Sequence, residues 1–186
     1  MSPDARVAGV AGKISWSLLA EQLGLIENEP DGWNESGGSG DAQRALEQVV
    51  GEDEMRAAVD YYVTGEPGCE LARSVLWLLK PRSAMVRCRE IASTSGDPEV
   101  RRSAVELLRV VADRTVMSWI PEYLADPDEG VQIWGIGILD QLLWDNAVEP
   151  EEAESLLLSA DQHQNAAVRE RAQFIRSFLT DRATSD

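Results

Sequence analysis

The sequence is poor in the residues that usually mark a chemistry. It holds one histidine, His163, and two cysteines, Cys69 and Cys88, among 186 residues. One His and two scattered Cys do not make a zinc site. Without a CxxC pair, the two thiols are expected to be buried and free rather than bridged. No GxSxG elbow, P-loop or GxGxxG turn occurs, so no catalytic residue, cofactor or metal ligand is assigned. No apolar run reaches the roughly 18 residues that span a bilayer. The longest apolar-rich stretch, Val131 to Trp144, is broken by Gln132, Asp140 and Gln141. The opening MSPDARVAGVAGKISW lacks a basic region followed by a continuous apolar core, which predicts no secretory signal and a cytoplasmic chain. Bases are scarce as well. Seventeen Lys and Arg face 33 Asp and Glu, a net charge of −16. That balance argues against nucleic acid and anionic membranes, and favours plain solubility or a basic partner.

Other candidate chemistry has simpler explanations. Arg87 and Arg89 flank Cys88 and would lower its pKa if they faced it. Adjacent helical residues point apart, however, and Cys is usually a small core residue. His163, in the polar connector SADQHQNAA, is expected to be a solvated loop residue. The acids between Glu149 and Glu154 suit the first turn of a helix and lack the ordered ligands and glycine of a calcium loop.

What the chain does have is repetition. In GDPEVRRSAVELL, Gly96 to Leu108, Asp97 is a good N-cap, Pro98 suits the first helical position and Glu99 favours the positive helix end. Val100, Ala104, Leu107, Leu108 and Val111 then form one apolar stripe. Related segments stand at Glu70–Leu79, Glu129–Leu139 and Asn165–Ile175, the last with Asn165 as its cap. Each follows a second helical segment: Glu52–Val63, Arg82–Ser93, Val116–Asp126 and Glu151–Ala160. Four copies at a period of about 30–37 residues predict an all-α stack of antiparallel helix pairs, with no strand pattern.

The segment WIPEYLADPDEGVQIWGIGIL, Trp119 to Leu139, resembles a HEAT repeat. It has a proline in the first helix (Pro121), an acid in the turn (Asp126), a valine opening the second helix and a small residue four later. GDPEVRRSAVELL and NAAVRERAQF resemble second helices of the same repeat. The basic residue that follows the valine is present at Arg101 and Arg169 and is Gln132 between them, which breaks a regular basic ladder. The resemblance covers about residues 52–180 and implies a right-handed α-solenoid of about four HEAT-like pairs at 51–182, with a disordered tail at 183–186. Residues 1–50 are expected to cap the stack, with a helix within Ala5–Ile26 (most secure at Ser15–Leu23), a loop over Glu27–Asp41 and a helix from Ala42 to Val50.

Charge is unevenly placed. No Lys or Arg lies between Arg114 and Arg169, a span with eleven acids. Several cap helices; Asp140 instead interrupts an apolar helix. By the repeat alignment, Leu71, Val75, Leu78 and Leu79 take core slots. The opposite stripe carries Trp77, Arg102, Glu106, Arg109, Ile133, Gly137, Asp140, Trp144 and Phe174, the candidate partner-binding residues. Trp77, Trp144 and Phe174 are either exposed contact residues or rings buried by closure of the stack. Arg176, in a slot held elsewhere by Leu108 and Leu139, suggests a terminal helix.

The expected function is that of an acidic protein-binding module, monomeric or weakly dimeric, that sequesters or scaffolds a basic protein. An immunity or inhibitor protein neutralising a cationic toxin is one concrete version. HEAT-like proteins also include chromophore lyases and alkyl-base glycosylases. A ligand-handling lyase or a general assembly factor is therefore the alternative, and −16 works against a DNA-binding glycosylase.

Overall fold

The computed structural model describes residues 16–29, 32–36 and 38–184. The chain forms two compact units, residues 1–51 and 52–186.

The first unit contains α1 (Trp16–Gln22), β1 (Ile26–Glu29), β2 (Gly32–Glu35) and α2 (Ser39–Val50). Residues 5–15 of the expected first helix, Pro30, Asp31 and Gly37 of the expected loop, and residues 185–186 of the expected tail lie outside the described residues. The strands pair antiparallel, Ile26 opposite Glu35 and Glu29 opposite Gly32. The Ser36 amide closes the hairpin on the Leu25 carbonyl at 2.9 Å. A hairpin therefore replaces much of the expected 27–41 loop. The Pro-Asp-Gly signal for a tight turn is present, but IENE and GWNE are too short and polar to show alternation. In α2 no residue is buried, and Leu46, Val49 and Val50 are exposed.

The second unit is all-helical among the described residues. Its elements are α3 (Glu52–Tyr62), α4 (Cys69–Leu79), α5 (Arg82–Thr94), α6 (Pro98–Val111), a 3-10 turn (Arg114–Trp119), α7 (Ile120–Leu124), α8 (Glu129–Trp144), α9 (Pro150–Asp161) and α10 (Ala166–Ala183). Consecutive helices pack as pairs: α3 on α4, α5 on α6, α7 on α8, α9 on α10. Pairs then join side by side, with α4 on α6, α6 on α8 and α8 on α10 in one layer, and α3 on α5 in the other. We call the layer of α4, α6, α8 and α10 the B layer.

Local signals set the helix starts. The Asp97 carboxylate accepts from the Glu99 amide at 2.9 Å, with Pro98 at the first helical position. Asp128 caps α8 through the Val131 amide at 3.0 Å, and Asn165 caps α10 through the Ala167 amide at 3.0 Å. Glu149 and Glu152 form a capping box on α9. The expected helix from Val116 to Asp126 is broken instead into the 3-10 turn and the five-residue α7. Pro121 has no N–H to carry the helical ladder through that point.

The core runs continuously through the pairs. Leu76, Ala104, Leu107, Leu108, Ile120, Val131, Ile136, Leu139, Leu157, Val168, Ala172 and Ile175 are essentially inaccessible. Each large side chain among them contributes about 1.5–3 kcal/mol by burial. Cys88 is fully buried in this core, as expected, and burial pushes its thiol far up. Cys69 is only half-buried.

Three expected core slots are not filled as predicted. Leu71, Val75 and Leu78 are exposed, and Leu76 and Leu79 are the residues α4 buries. Within this unit no B-layer helix precedes α4, so the side that α6 and α8 bury against a preceding neighbour has none here. No described helix is long and apolar enough to cross a membrane.

Candidate functional site

The open face of the B layer carries the three sequence-predicted aromatics. Trp77, Trp144 and Phe174 stand on α4, α8 and α10, exposed by 54%, 64% and 56%. None of the three rings is buried by closure of the helix layers. Leaving three large apolar rings in water forgoes a gain of roughly 1.5–3 kcal/mol each, which makes their placement informative.

A concave groove of about 430 Å³ opens between α4, α6 and α8, lined by Arg73, Ser74, Trp77, Arg109, Val110 and Gln141. Residues of α4 and α8 meet over α6: the Lys80 ammonium reaches the Asp145 carboxylate at 2.9 Å, and the Gln141 amide donates to the same carboxylate at 3.0 Å. This strut joins positions 65 apart in sequence.

Glu106 sits beneath the groove. One of its oxygens, Oε2, accepts from the Tyr62 hydroxyl of α3. Burial, reinforced by the Glu106 carboxylate, raises the Tyr62 phenol well above its usual range, which keeps it a donor. The other oxygen, Oε1, lies 3.3 Å from the Arg73 guanidinium and 3.6 Å from that of Arg109. Arg109 also donates to Gln141 at 3.5 Å and stacks over the Trp134 ring at 5.4 Å. Gly137 is buried beneath it: a Cβ there would meet the Arg109 side chain at 3.1 Å.

A second group lies on α8 and α10. Asp140 pairs with Arg171 at 3.0 Å, and Arg171 stacks over the Phe174 ring at 5.5 Å. Desolvation raises the Asp140 pKa, opposed by Arg171 and Arg109. Trp144 leans on Phe178 with ring centroids 5.1 Å apart. Arg102 and Ile133 belong to neither group. Arg102 is clamped on Asp128 by two bonds of 2.8 Å, and Ile133 is half-buried.

Sequence reasoning missed Tyr62, Gln141, Asp145 and Phe178. Tyr62 belongs to the opposite layer and is 44 positions from its partner. Phe178 carries a readable signal, one helical turn beyond Phe174 on α10.

The turn-side edge holds a larger cleft of about 920 Å³, lined by Asp126, Gln132, Leu158, Ser159, His163 and Asn165 among others. His163 is not a solvated loop residue. Its Nε2 lies 2.8 Å from the Leu124 carbonyl and its Nδ1 accepts the Asn165 amide at 3.1 Å. An N–H donor facing Nδ1 and a carbonyl facing Nε2 fit the tautomer with its proton on Nε2. The ring ties the end of α7 to the α9–α10 turn.

The basic ladder is broken at Gln132, but a row of side-chain donors to backbone carbonyls runs through it. Arg101 donates to the Ala92 carbonyl at 2.9 Å, Gln132 to the Asp126 carbonyl at 2.6 Å, and Arg169 to the His163 carbonyl at 2.6 Å. A neutral donor serves where the charge is absent. Among the described residues, no group of three His, Cys, Asp or Glu side chains has metal-holding geometry.

The acid-rich span is largely neutralised internally. Eight of its eleven acids form ion pairs: Glu122 with Arg89, Asp126 with Arg101, Asp128 with Arg102, Asp140 with Arg171, Asp145 with Lys80, Glu152 with Arg114, and Glu154 and Asp161 with Arg176. Every base but Arg176, which shares the α9–α10 pair with its two partners, comes from outside the helix pair of its acid. The Arg176 pairs also explain a charge in an otherwise apolar slot. The chain matches no protein-family model, no curated protein and no solved structure.

Proposed function

We propose that this chain is a protein-binding module, its second unit a right-handed, HEAT-like α-solenoid that holds a partner protein on the B-layer face. The observation that carries this reading is the exposure of Trp77, Trp144 and Phe174, each more than half accessible on that face. Exposed aromatics around a concave surface are the residues that dominate interface energies. The net charge of −16 favours a basic partner, through attraction that speeds encounter. Most acids of the base-free span already hold an arginine or lysine. The aromatics therefore supply the contact energy and the charge supplies the steering.

The test compares the wild-type chain with a Trp77→Ala/Trp144→Ala/Phe174→Ala variant in cross-linking capture from the source cell. Circular dichroism verifies that both are folded. A basic protein captured by the wild type, lost with the variant and depleted as salt rises supports the reading. Identical capture by both chains removes it.

A further inference from the structure

We infer that the groove between α4, α6 and α8 is a binding site for an organic carboxylate carrying an apolar group. The inference does not depend on the partner reading above.

Arg73 and Arg109 project from α4 and α6 and converge on one oxygen, Oε1 of Glu106, at 3.3 and 3.6 Å. Charge-assisted N–H···O bonds normally close to about 2.7–2.9 Å. Arg73 Nη2 therefore donates only a long bond to the shared oxygen, and Arg109 stands beyond bonding reach of it and donates instead to Gln141 at 3.5 Å. Glu106 is drawn the other way by the Tyr62 hydroxyl on Oε2. The further ion pair of Arg73, to the mostly exposed Glu70, is also long at 3.7 Å.

A second observation agrees. Among the described residues, the buried side-chain nitrogens and oxygens without a hydrogen-bond partner are Arg73 Nε, Arg109 Nε and Tyr123 Oη. Two of the three belong to this one groove. A buried donor left unpaired is unfavourable, and here it occurs twice side by side. The other B-layer arginines contrast sharply: Arg102 holds Asp128 through two bonds of 2.8 Å, and Arg171 holds Asp140 at 3.0 Å.

The remaining lining defines the ligand. Trp77 and Val110 offer apolar surface, while the Ser74 hydroxyl and the Gln141 amide line the same groove. A carboxylate is planar and takes a guanidinium through two parallel bonds. A volume of about 430 Å³ holds a group the size of one or two amino-acid residues. The chemistry is thus a carboxylate next to an aliphatic or aromatic side chain. A free small acid and a polypeptide C-terminus both provide it.

The experiment is a titration of the full-length, 15N-labelled chain followed at the Trp77 indole N–H, assigned with a Trp77→Phe variant. The probes are N-acetyl-leucine, its uncharged amide, and N-acetyl-Gly-Gly-Leu. N-acetyl-leucine is expected to shift the Trp77 signal saturably at millimolar concentration or below. The amide is expected to bind at least about tenfold more weakly, the worth of one charge-assisted pair. Arg73→Gln/Arg109→Gln is expected to abolish the shift. Should that variant misfold, Ser74→Glu places a like charge in the groove from an exposed helical position and is expected to do the same. Tripeptide binding about tenfold tighter than N-acetyl-leucine identifies a chain terminus; equal affinity identifies a free acid. An equal response to the amide, no shift up to about 50 mM, or binding retained in a folded Arg73→Gln/Arg109→Gln chain overturns the inference.

Discussion

Two glycines two residues apart on α8 should respond in opposite ways to the same substitution. Gly135 occupies the slot that α6 fills with Ala104. A Cβ there would stand 2.7 Å from the Tyr123 Cβ, with the Tyr123 carbonyl carbon at 3.5 Å. Neither neighbour is a flexible tip, and Tyr123 is buried in the α7–α8 crossing. Alanine gains about 1 kcal/mol over glycine from helix propensity. Overpacking a tight crossing costs about 1–3 kcal/mol. Gly135→Ala should therefore be net destabilising by about 1 kcal/mol, lowering Tm by roughly 2–4 °C. At Gly137 the nearest atom is Arg109 Cδ at 3.1 Å, part of a long side chain that can swing aside. Gly137→Ala should keep most of its propensity gain and raise Tm by about 1–3 °C. It should also displace Arg109 and shift the Trp77 indole signal. Thermal unfolding followed by circular dichroism reads both. If Gly135→Ala stabilises as much as Gly137→Ala, the helices of that pair are not in close contact and the packing argument fails.

Two acids on α8 should show opposite pH behaviour. The Asp128 pKa is lowered to about 2, chiefly by its bonds to Arg102. Its stabilisation is complete above about pH 4 and fades as pH falls towards 2. Asp128→Asn keeps a capping side chain and should lose about 1–2 kcal/mol at pH 7. That deficit should shrink steadily in urea titrations between about pH 4 and pH 2.5, and a constant deficit would refute the charge assignment. The Asp140 pKa is raised by desolvation, so the folded chain binds its proton more readily than the unfolded one. Stability attributable to Asp140 then rises as pH falls towards its unfolded value. Asp140→Asn should be neutral to slightly stabilising at pH 7, with the advantage vanishing below about pH 4; clear destabilisation at pH 7 contradicts it. His163→Ala should cost about 1–2 kcal/mol and speed hydrogen exchange at the Asn165 amide while α6 amides stay protected. Unchanged Asn165 exchange would mean that the His163 bridge does not form.

Legibility in the sequence followed the range of each interaction. Asp97, Pro98 and the stripe through Leu108 act within four residues of one another, and the helix they specify spans Pro98–Val111. The helix pairs were legible because the stripe recurs. The hairpin at Ile26–Glu35 was not, since its pairing rests on backbone bonds that a polar sequence such as IENE does not announce. The exposed aromatics were placed on the correct helices, but their exposure depended on whether other segments covered them. Leu71, Val75 and Leu78 show the converse. Their spacing matches buried residues of α6, and only the missing preceding B-layer helix within the unit leaves them exposed. Glu106 was identified by position, yet its chemistry comes from Tyr62 and Arg73, 44 and 33 positions away.

The acid-rich span bears most directly on partner recognition. Read along the chain, eleven acids without a base suggest a surface waiting for a cation. Packing sets six of them against bases from other helix pairs, and Glu154 and Asp161 against Arg176 of their own pair. The remaining three, Glu129, Glu149 and Glu151, lie at the starts of α8 and α9. Glu129 stands at the end of α8 away from Trp144, whereas Glu149 and Glu151 follow Trp144 by only a few residues, in the cap and first turn of α9, where they serve the helix start. A basic partner would be drawn by the overall field and held by the rings. That division predicts separable kinetics. Raising salt from about 50 to 300 mM should slow association by an order of magnitude or so and leave dissociation nearly unchanged. Trp144→Ala should do the reverse, speeding dissociation with association intact. Dissociation that accelerates steeply with salt would mean that ion pairs form the contact itself. The partner would then have to displace arginines such as Arg171 from carboxylates they already hold at about 3 Å.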